Sequence, residues 1–131
     1  MSTNSSFIDG LTFNSDGHIP AVIQDQRTQR VLTLCYMTKE ALEYSIEQKF
    51  VYVYRRSLGK LMKKGETSGH VQEILDISKD CEGKSLLIQI KQHVAGCHKG
   101  FFSCYFESLQ TDGSLKENEA LVFNPSEVYK K

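Results

Sequence analysis

Pro20-Ala21-Val22-Ile23-Gln24, then Asp25-Gln26-Arg27-Thr28-Gln29-Arg30, then Val31-Leu32-Thr33-Leu34-Cys35-Tyr36-Met37, is the stretch whose reading decides the fold. Two runs rich in apolar and β-branched residues flank a short polar segment, and the turn signal Asp16-Gly17 precedes the first. The pattern predicts two strands joined as a hairpin. Cys35, inside the second strand, is expected to be a small core residue.

Working outward, Thr38 suits a helix N-cap, and Ala41, Leu42, Ser45 and Ile46 fall at helical spacing. One short amphipathic helix is expected there, ending before Phe50. The run 50–56 is β-rich and leads into a loop over 57–69. Residues 71–78 and 86–93 read as two more strands around the turn Lys79-Asp80-Cys81-Glu82-Gly83-Lys84, and 101–109 as a further strand carrying Cys104. The first eight residues read as frayed. The tail from Gln110 holds a second turn at Asp112-Gly113, and Val122-Phe123 before Pro125 suggests a docked segment. Together these elements predict a mainly β (α+β) chain, a compact β-sheet domain with one or two short helices.

The bulk properties narrow the class. At 131 residues the chain suits a single domain, 1–131, that can bury a core without disulfide staples. Lys plus Arg equals Asp plus Glu at 16 each, which argues against a nucleic-acid binder that works by neutralising phosphates. No apolar run is long enough for a transmembrane helix, so no membrane partner is expected. The first residues lack the pattern of a signal peptide, so the four cysteines read as reduced thiols of a cytoplasmic protein.

Three of those cysteines, Cys81, Cys97 and Cys104, suggest a metal site. Zn²⁺ commonly takes three protein ligands plus a water where it is catalytic, and the loose spacing does not fit a closed structural knuckle. Redox chemistry or plain core thiols are the competing readings. Next to Cys97 stands His98. If the backbone is extended there, His98 points away from the Cys97 ligand and is a candidate general acid/base. If it turns, His98 becomes a fourth ligand. His70 and His93 are weaker candidates. The loop Gly59 to His70 offers glycines, lysines and hydroxyls suited to a phosphate or ribose, or is simply a solvated lysine loop. In the turn at 80–84, Asp80 and Glu82 would share one face of an extended segment, opposite Cys81, and could hold Mg²⁺.

Taken in order, these segments resemble the phosphoribosyl-AMP cyclohydrolases, zinc enzymes of histidine biosynthesis. The resemblance rests on Gly17-His18-Ile19-Pro20-Ala21-Val22-Ile23-Gln24-Asp25, Tyr36-Met37 with Glu40-Ala41-Leu42, and Lys64-Gly65-Glu66-Thr67-Ser68-Gly69 with Gln72. Asp80-Cys81, Cys97-His98 with Gly100, and Ser103-Cys104 complete it. It covers a cyclohydrolase-like core over 11–106 and leaves 107–131 as a C-terminal extension. The resemblance implies an intertwined homodimer whose zinc is shared across the subunits, Cys81 of one joining Cys97 and Cys104 of the other. It implies hydrolytic opening of the adenine ring at the N1–C6 bond, with His98 handling the proton. Arg56, Ser57, Lys64, Glu66, Thr67 and Ser68 would hold phosphate and ribose.

Some positions depart from the family pattern. Three aspartates expected to bind Mg²⁺ are here Asp80, Glu82 and Lys84, and Arg-Ser-Arg is Arg56-Ser57-Leu58. A tryptophan expected at Met62 is absent. Ser-Gly-Asn is Ser68-Gly69-His70, and Cys-His-Thr-Gly is Cys97-His98-Lys99-Gly100. These changes keep two other readings open: a zinc hydrolase acting on another purine or pyrimidine nucleotide, and a non-enzymatic zinc-stapled dimer that binds nucleotides.

Overall fold

A computed structural model describes residues 4–55, 57–66, 68–94, 97 and 99–123. Its centre is a four-stranded sheet made from two hairpins. β1 (His18–Asp25) and β2 (Val31–Thr38) form the first; β5 (Gln72–Lys79) and β6 (Leu86–Gln92) form the second. The order is β2-β1-β6-β5, and the hairpins join through the parallel pair β1–β6, with Ala21 opposite Leu86 and Asp25 opposite Ile90. The first hairpin is the one expected from the sequence. Its turn is tied by the buried Asp25 carboxylate, which accepts from the Thr28 amide at 2.9 Å and the Thr28 hydroxyl at 2.7 Å.

The period-two pattern of the strands sends one face inward. Ile19, Ala21 and Ile23 of β1 and Leu86, Ile88 and Ile90 of β6 are buried on that face. The helix α2 (Lys39–Gln48) packs on it with Ala41 and Leu42. Thr38 caps α2, its hydroxyl oxygen accepting from the Ala41 amide at 3.1 Å, as its place in the sequence suggests. Inside the core, the buried Ser45 hydroxyl accepts from the Tyr52 amide at 2.8 Å, which ties α2 to the next strand.

Several expectations need correction. The expected loop over 57–69 contains a strand, β4 (Lys60–Lys63), which pairs antiparallel with β3 (Tyr52–Arg55), so the loop proper begins at Lys64. The segment expected to fray holds a helix among its described residues: α1 (Asn4–Asp9) buries Ile8 against the core. Residues 101–106 do not form a strand. The Phe101 and Phe106 rings stack with centroids 3.9 Å apart, so the chain folds back on itself, and an extended run would hold them far apart. Only β7 (Glu107–Leu109) is extended, paired with β8 (Leu115–Glu117) around the Asp112-Gly113 turn. The mainly β class with short helices stands, and no helix among the described residues is long and apolar enough to cross a membrane.

Ile88 lies at the middle of the buried face, so Ile88→Ala should lower the unfolding free energy by about 2–5 kcal/mol. Leu109 is 74% exposed, and Leu109→Ala should change it by less than about 0.5 kcal/mol. Urea unfolding followed by circular dichroism reads both; equal effects would contradict this assignment of the core.

Candidate functional site

The site grows from an irregularity in β2. Ile23 pairs with Thr33 and Gln24 with Val31, leaving Leu32 as the extra residue of a bulge. β2 is also an edge strand, so its outer carbonyls are available. The segment after Phe102 takes them up. The Ser103 hydroxyl donates to the Val31 carbonyl at 2.7 Å, and the Cys104 amide donates to the Leu32 carbonyl at 2.7 Å. Ser103 is fully buried and its hydroxyl also accepts from the Tyr105 amide at 2.9 Å. The backbone of Cys104 is thereby fixed to the sheet.

Cys97 reaches the same place from a tight turn. Its amide donates to the Phe101 carbonyl at 3.1 Å, and its carbonyl accepts from the Gly100 amide at 3.1 Å. Gly100 has φ of 100°, a left-handed conformation that glycine adopts without strain. The Cys97 and Cys104 thiols come into hydrogen-bonding contact, with the Thr33 hydroxyl bonded to Cys104. Packing around its sulfur pushes the Cys104 thiol above its ordinary range, Thr33 opposes that shift, Cys97 adds to it and the Lys64 ammonium opposes it. Cys35, on the inner face of β2, is pushed up by burial to about 11, again against the pull of Lys64.

Lys64 thus connects the two halves of the site. It opens the glycine-containing loop, and its charge bears on both Cys35 and Cys104. The loop is pinned to the core by the Lys64 amide donating to the Val51 carbonyl at 2.8 Å. Its curvature requires Gly65, where φ is 84° and an added Cβ would collide with the His70 carbonyl. The far end of the loop docks on the tail: His70 meets the Phe123 ring edge-on at 4.7 Å, while the Val122 amide donates to the Gly100 carbonyl at 2.6 Å. The expected docked segment at 122–123 is therefore present.

Other expected residues lie elsewhere. Asp80 and Glu82 do not share one face of an extended segment, because 80–84 is a turn folded around the Asp80 carboxylate. Its Oδ1 accepts from the Glu82 amide at 3.1 Å and the Lys84 amide at 2.8 Å, and its Oδ2 accepts from the Ser85 hydroxyl at 2.7 Å. These bonds, that from Ser85 foremost, hold the Asp80 carboxyl below its ordinary range. The Lys84 ammonium is 3.8 Å from the Glu82 carboxylate. Cys81 is exposed on the same turn. That turn leaves β5, whereas Cys104 is tied to β2, and these strands are opposite edges of the sheet, about 14 Å apart at normal strand spacing. Among the described residues, no three His, Cys, Asp or Glu side chains of one chain converge as a metal site. Ser57, Glu66 and Ser68 lie on the β3–β4 turn and the lysine loop, while Arg56, Thr67 and His98 lie outside the described residues.

Sequence reading missed Thr33, Arg30 and Glu119. Thr33 looked like an ordinary strand residue, and the other two form an ion pair at 2.9 Å across 89 positions, which no local pattern signals.

Similarity to known proteins covers nearly the whole chain. A model of the phosphoribosyl-AMP cyclohydrolase family matches residues 33–106. The phosphoribosyl-AMP cyclohydrolase of Chlorobium phaeovibrioides is 41% identical over 128 residues, spanning 98% of this chain and 93% of that protein. That of Chlorobium chlorochromatii is 37% identical over 131 residues, 100% and 96% of the two chains. That of Pelotomaculum thermopropionicum is 39% identical over 124 residues, 95% and 96%.

The four cysteines should separate by reactivity. Cys81 is exposed, whereas the Cys35 thiol, at about 11, stays protonated and shielded at neutral pH. Metal-free protein treated with iodoacetamide at pH 8 should be alkylated at Cys81 first and at Cys35 last, as peptide mass spectrometry reads. Because folding raises the Cys35 value from 9.0, its contribution to stability is complete below pH 9 and is lost as pH rises through 11. Early alkylation of Cys35 in folded protein would contradict this picture.

Proposed function

The chain belongs to the phosphoribosyl-AMP cyclohydrolase family, and from that premise we propose that it hydrolyses the N1–C6 bond of the adenine ring of phosphoribosyl-AMP, as a zinc-dependent cytoplasmic homodimer of histidine biosynthesis. The observation that carries the reading is the convergence of the Cys97–Cys104 thiol pair with Lys64, which opens the phosphate-suited loop.

The donor set fits zinc. Two thiols in contact cannot both ionise cheaply in a partly dry site, so a soft divalent cation is the partner that such a pair favours. When bound, zinc lowers the pKa of a coordinated water to about 7 and so supplies hydroxide at neutral pH. The remaining work falls to side chains. Lys64, Glu66, Thr67 and Ser68, together with Arg56 and Ser57, would bind phosphate and ribose and so present the purine to the thiol pair. His98 would carry a proton between the attacking water and the ring nitrogen that leaves C6. Phe101 and Phe106 stack face to face on either side of the segment that carries Cys104 in the chain.

A third thiolate must come from elsewhere, since Cys81 lies at the opposite sheet edge. A second copy supplies it most simply. The sheet face opposite the core supports such a dimer: Leu34, Val22 and Leu87 align across β2, β1 and β6, with Pro20 and Tyr36 paired beside them. Leu34 is 41% exposed, Tyr36 56% and Leu87 37%. An apolar row of this kind is a natural interface between copies. Mg²⁺ fits less well at Asp80 and Glu82, because the Asp80 oxygens already fold the turn and Lys84 sits beside Glu82.

Zinc-quantified protein given phosphoribosyl-AMP should show the absorbance change of ring opening, and Cys97→Ala should lose both zinc and turnover. A zinc-loaded wild type that leaves phosphoribosyl-AMP intact would shift the reading to another nucleotide, as Leu58, Lys84 and Lys99 would then suggest. Leu34→Asp should convert dimer to monomer in light scattering while circular dichroism stays native. A Leu34→Asp dimer as tight as wild type would remove this face from the interface.

A further inference from the structure

Resting on the reading of Cys97 and Cys104 as zinc ligands, we propose that Glu119, paired with Arg30, is a positioning residue for Cys104, so that the C-terminal extension sets the zinc affinity of the site. The residues on either side of Cys104 are held by one clamp. Glu119 Oε2 accepts from the Ser103 amide at 3.1 Å. Its Oε1 accepts from Arg30 Nε at 3.2 Å and Nη2 at 2.9 Å. The same Arg30 Nη2 donates to the Tyr105 carbonyl at 3.0 Å and to Asn118 Oδ1 at 2.9 Å. Asn118 closes the ring by donating from Nδ2 to the Tyr105 carbonyl at 3.0 Å.

An exposed ion pair contributes little, but here the Glu119 side chain is only 18% exposed and uses both oxygens. Charge-assisted bonds from a guanidinium fork also fix direction as well as distance. The consequence falls on geometry. With Ser103 and Tyr105 held by the clamp and the Cys104 amide on the Leu32 carbonyl, the backbone that aims the Cys104 sulfur at Cys97 has no freedom to swing. Arg30 comes from the β1–β2 turn and Glu119 from beyond β8, so two distant parts of the chain meet to orient one thiol. Loss of a group that orients a metal ligand from behind typically weakens metal affinity by roughly 10–100-fold.

The test is zinc affinity by chelator competition on the full-length dimer, beside the thermal midpoint of the metal-free protein. Glu119→Ala should weaken zinc binding by roughly tenfold, the low end for groups that orient a ligand from behind. Glu119→Gln can accept from the Ser103 amide but then turns its NH2 against the Arg30 donors, so it should recover only part of that loss. A purely structural role would lower the metal-free midpoint and leave the affinity, measured well below it, unchanged; that result overturns the proposal. Should Glu119→Ala be insoluble, Arg30→Met is read by the same criterion. A wild-type protein without thiol-bound zinc overturns the metal reading and the clamp together, whereas a zinc-loaded wild type with an unaltered Glu119→Ala affinity overturns the clamp alone.

Discussion

The structure depends on a sheet that buries only one of its faces. The alternation along β1 and β6 commits Ile19, Ala21, Ile23, Leu86, Ile88 and Ile90 to the side covered by α2. With side chains alternating, β1 and β6 present Val22 and Leu87 on the other side, in line with Leu34 of β2, and Leu34 and Leu87 stay exposed there. The burial that stabilises one subunit thus defines the surface available to a second. It also leaves β2 as an edge, and the bulge at Leu32 turns that edge into the mounting point for Cys104.

The thiol pair is built from parts that do not belong to one element. Cys97 is presented by a turn that needs Gly100, Cys104 by backbone bonds to β2, and Lys64 by a loop whose curvature needs Gly65. Each is anchored independently to the core through Phe101, Leu32 or Val51. Because the anchors are separate, a change in the loop that begins at Lys64 leaves the backbone contacts of Cys97 and Cys104 in place.

Much of this was legible in the sequence where the signal is local. The 20–37 hairpin, the Thr38 cap and the strands on either side of Asp80 follow from alternation, capping chemistry and turn residues read a few positions at a time. Cys97, Cys104 and Lys64 could also be picked out by residue type. The failures share a cause. The run 101–106 has strand-like composition, but its donors are claimed by a bulged edge some 70 residues earlier and its phenylalanines prefer to stack. The segment at 80–84 looked extended, yet the Asp80 oxygens fold it into a turn. Arg30 and Glu119 meet across the chain, and no window of sequence contains both.

One feature of the topology bears on how the chain reaches this state. The two hairpins are local and can form early, but the sheet closes only when β1 finds β6, as with Gln24 and Gln89, which pair 65 positions apart. Long-range parallel pairing of this kind is the slow part of folding. Cys97 and Cys104 follow β6 in the chain, and Cys104 docks on the completed β1–β2 edge. A nascent chain therefore assembles its sheet before its thiols are brought together, and the thiol pair forms on a finished scaffold rather than serving as a nucleus for it.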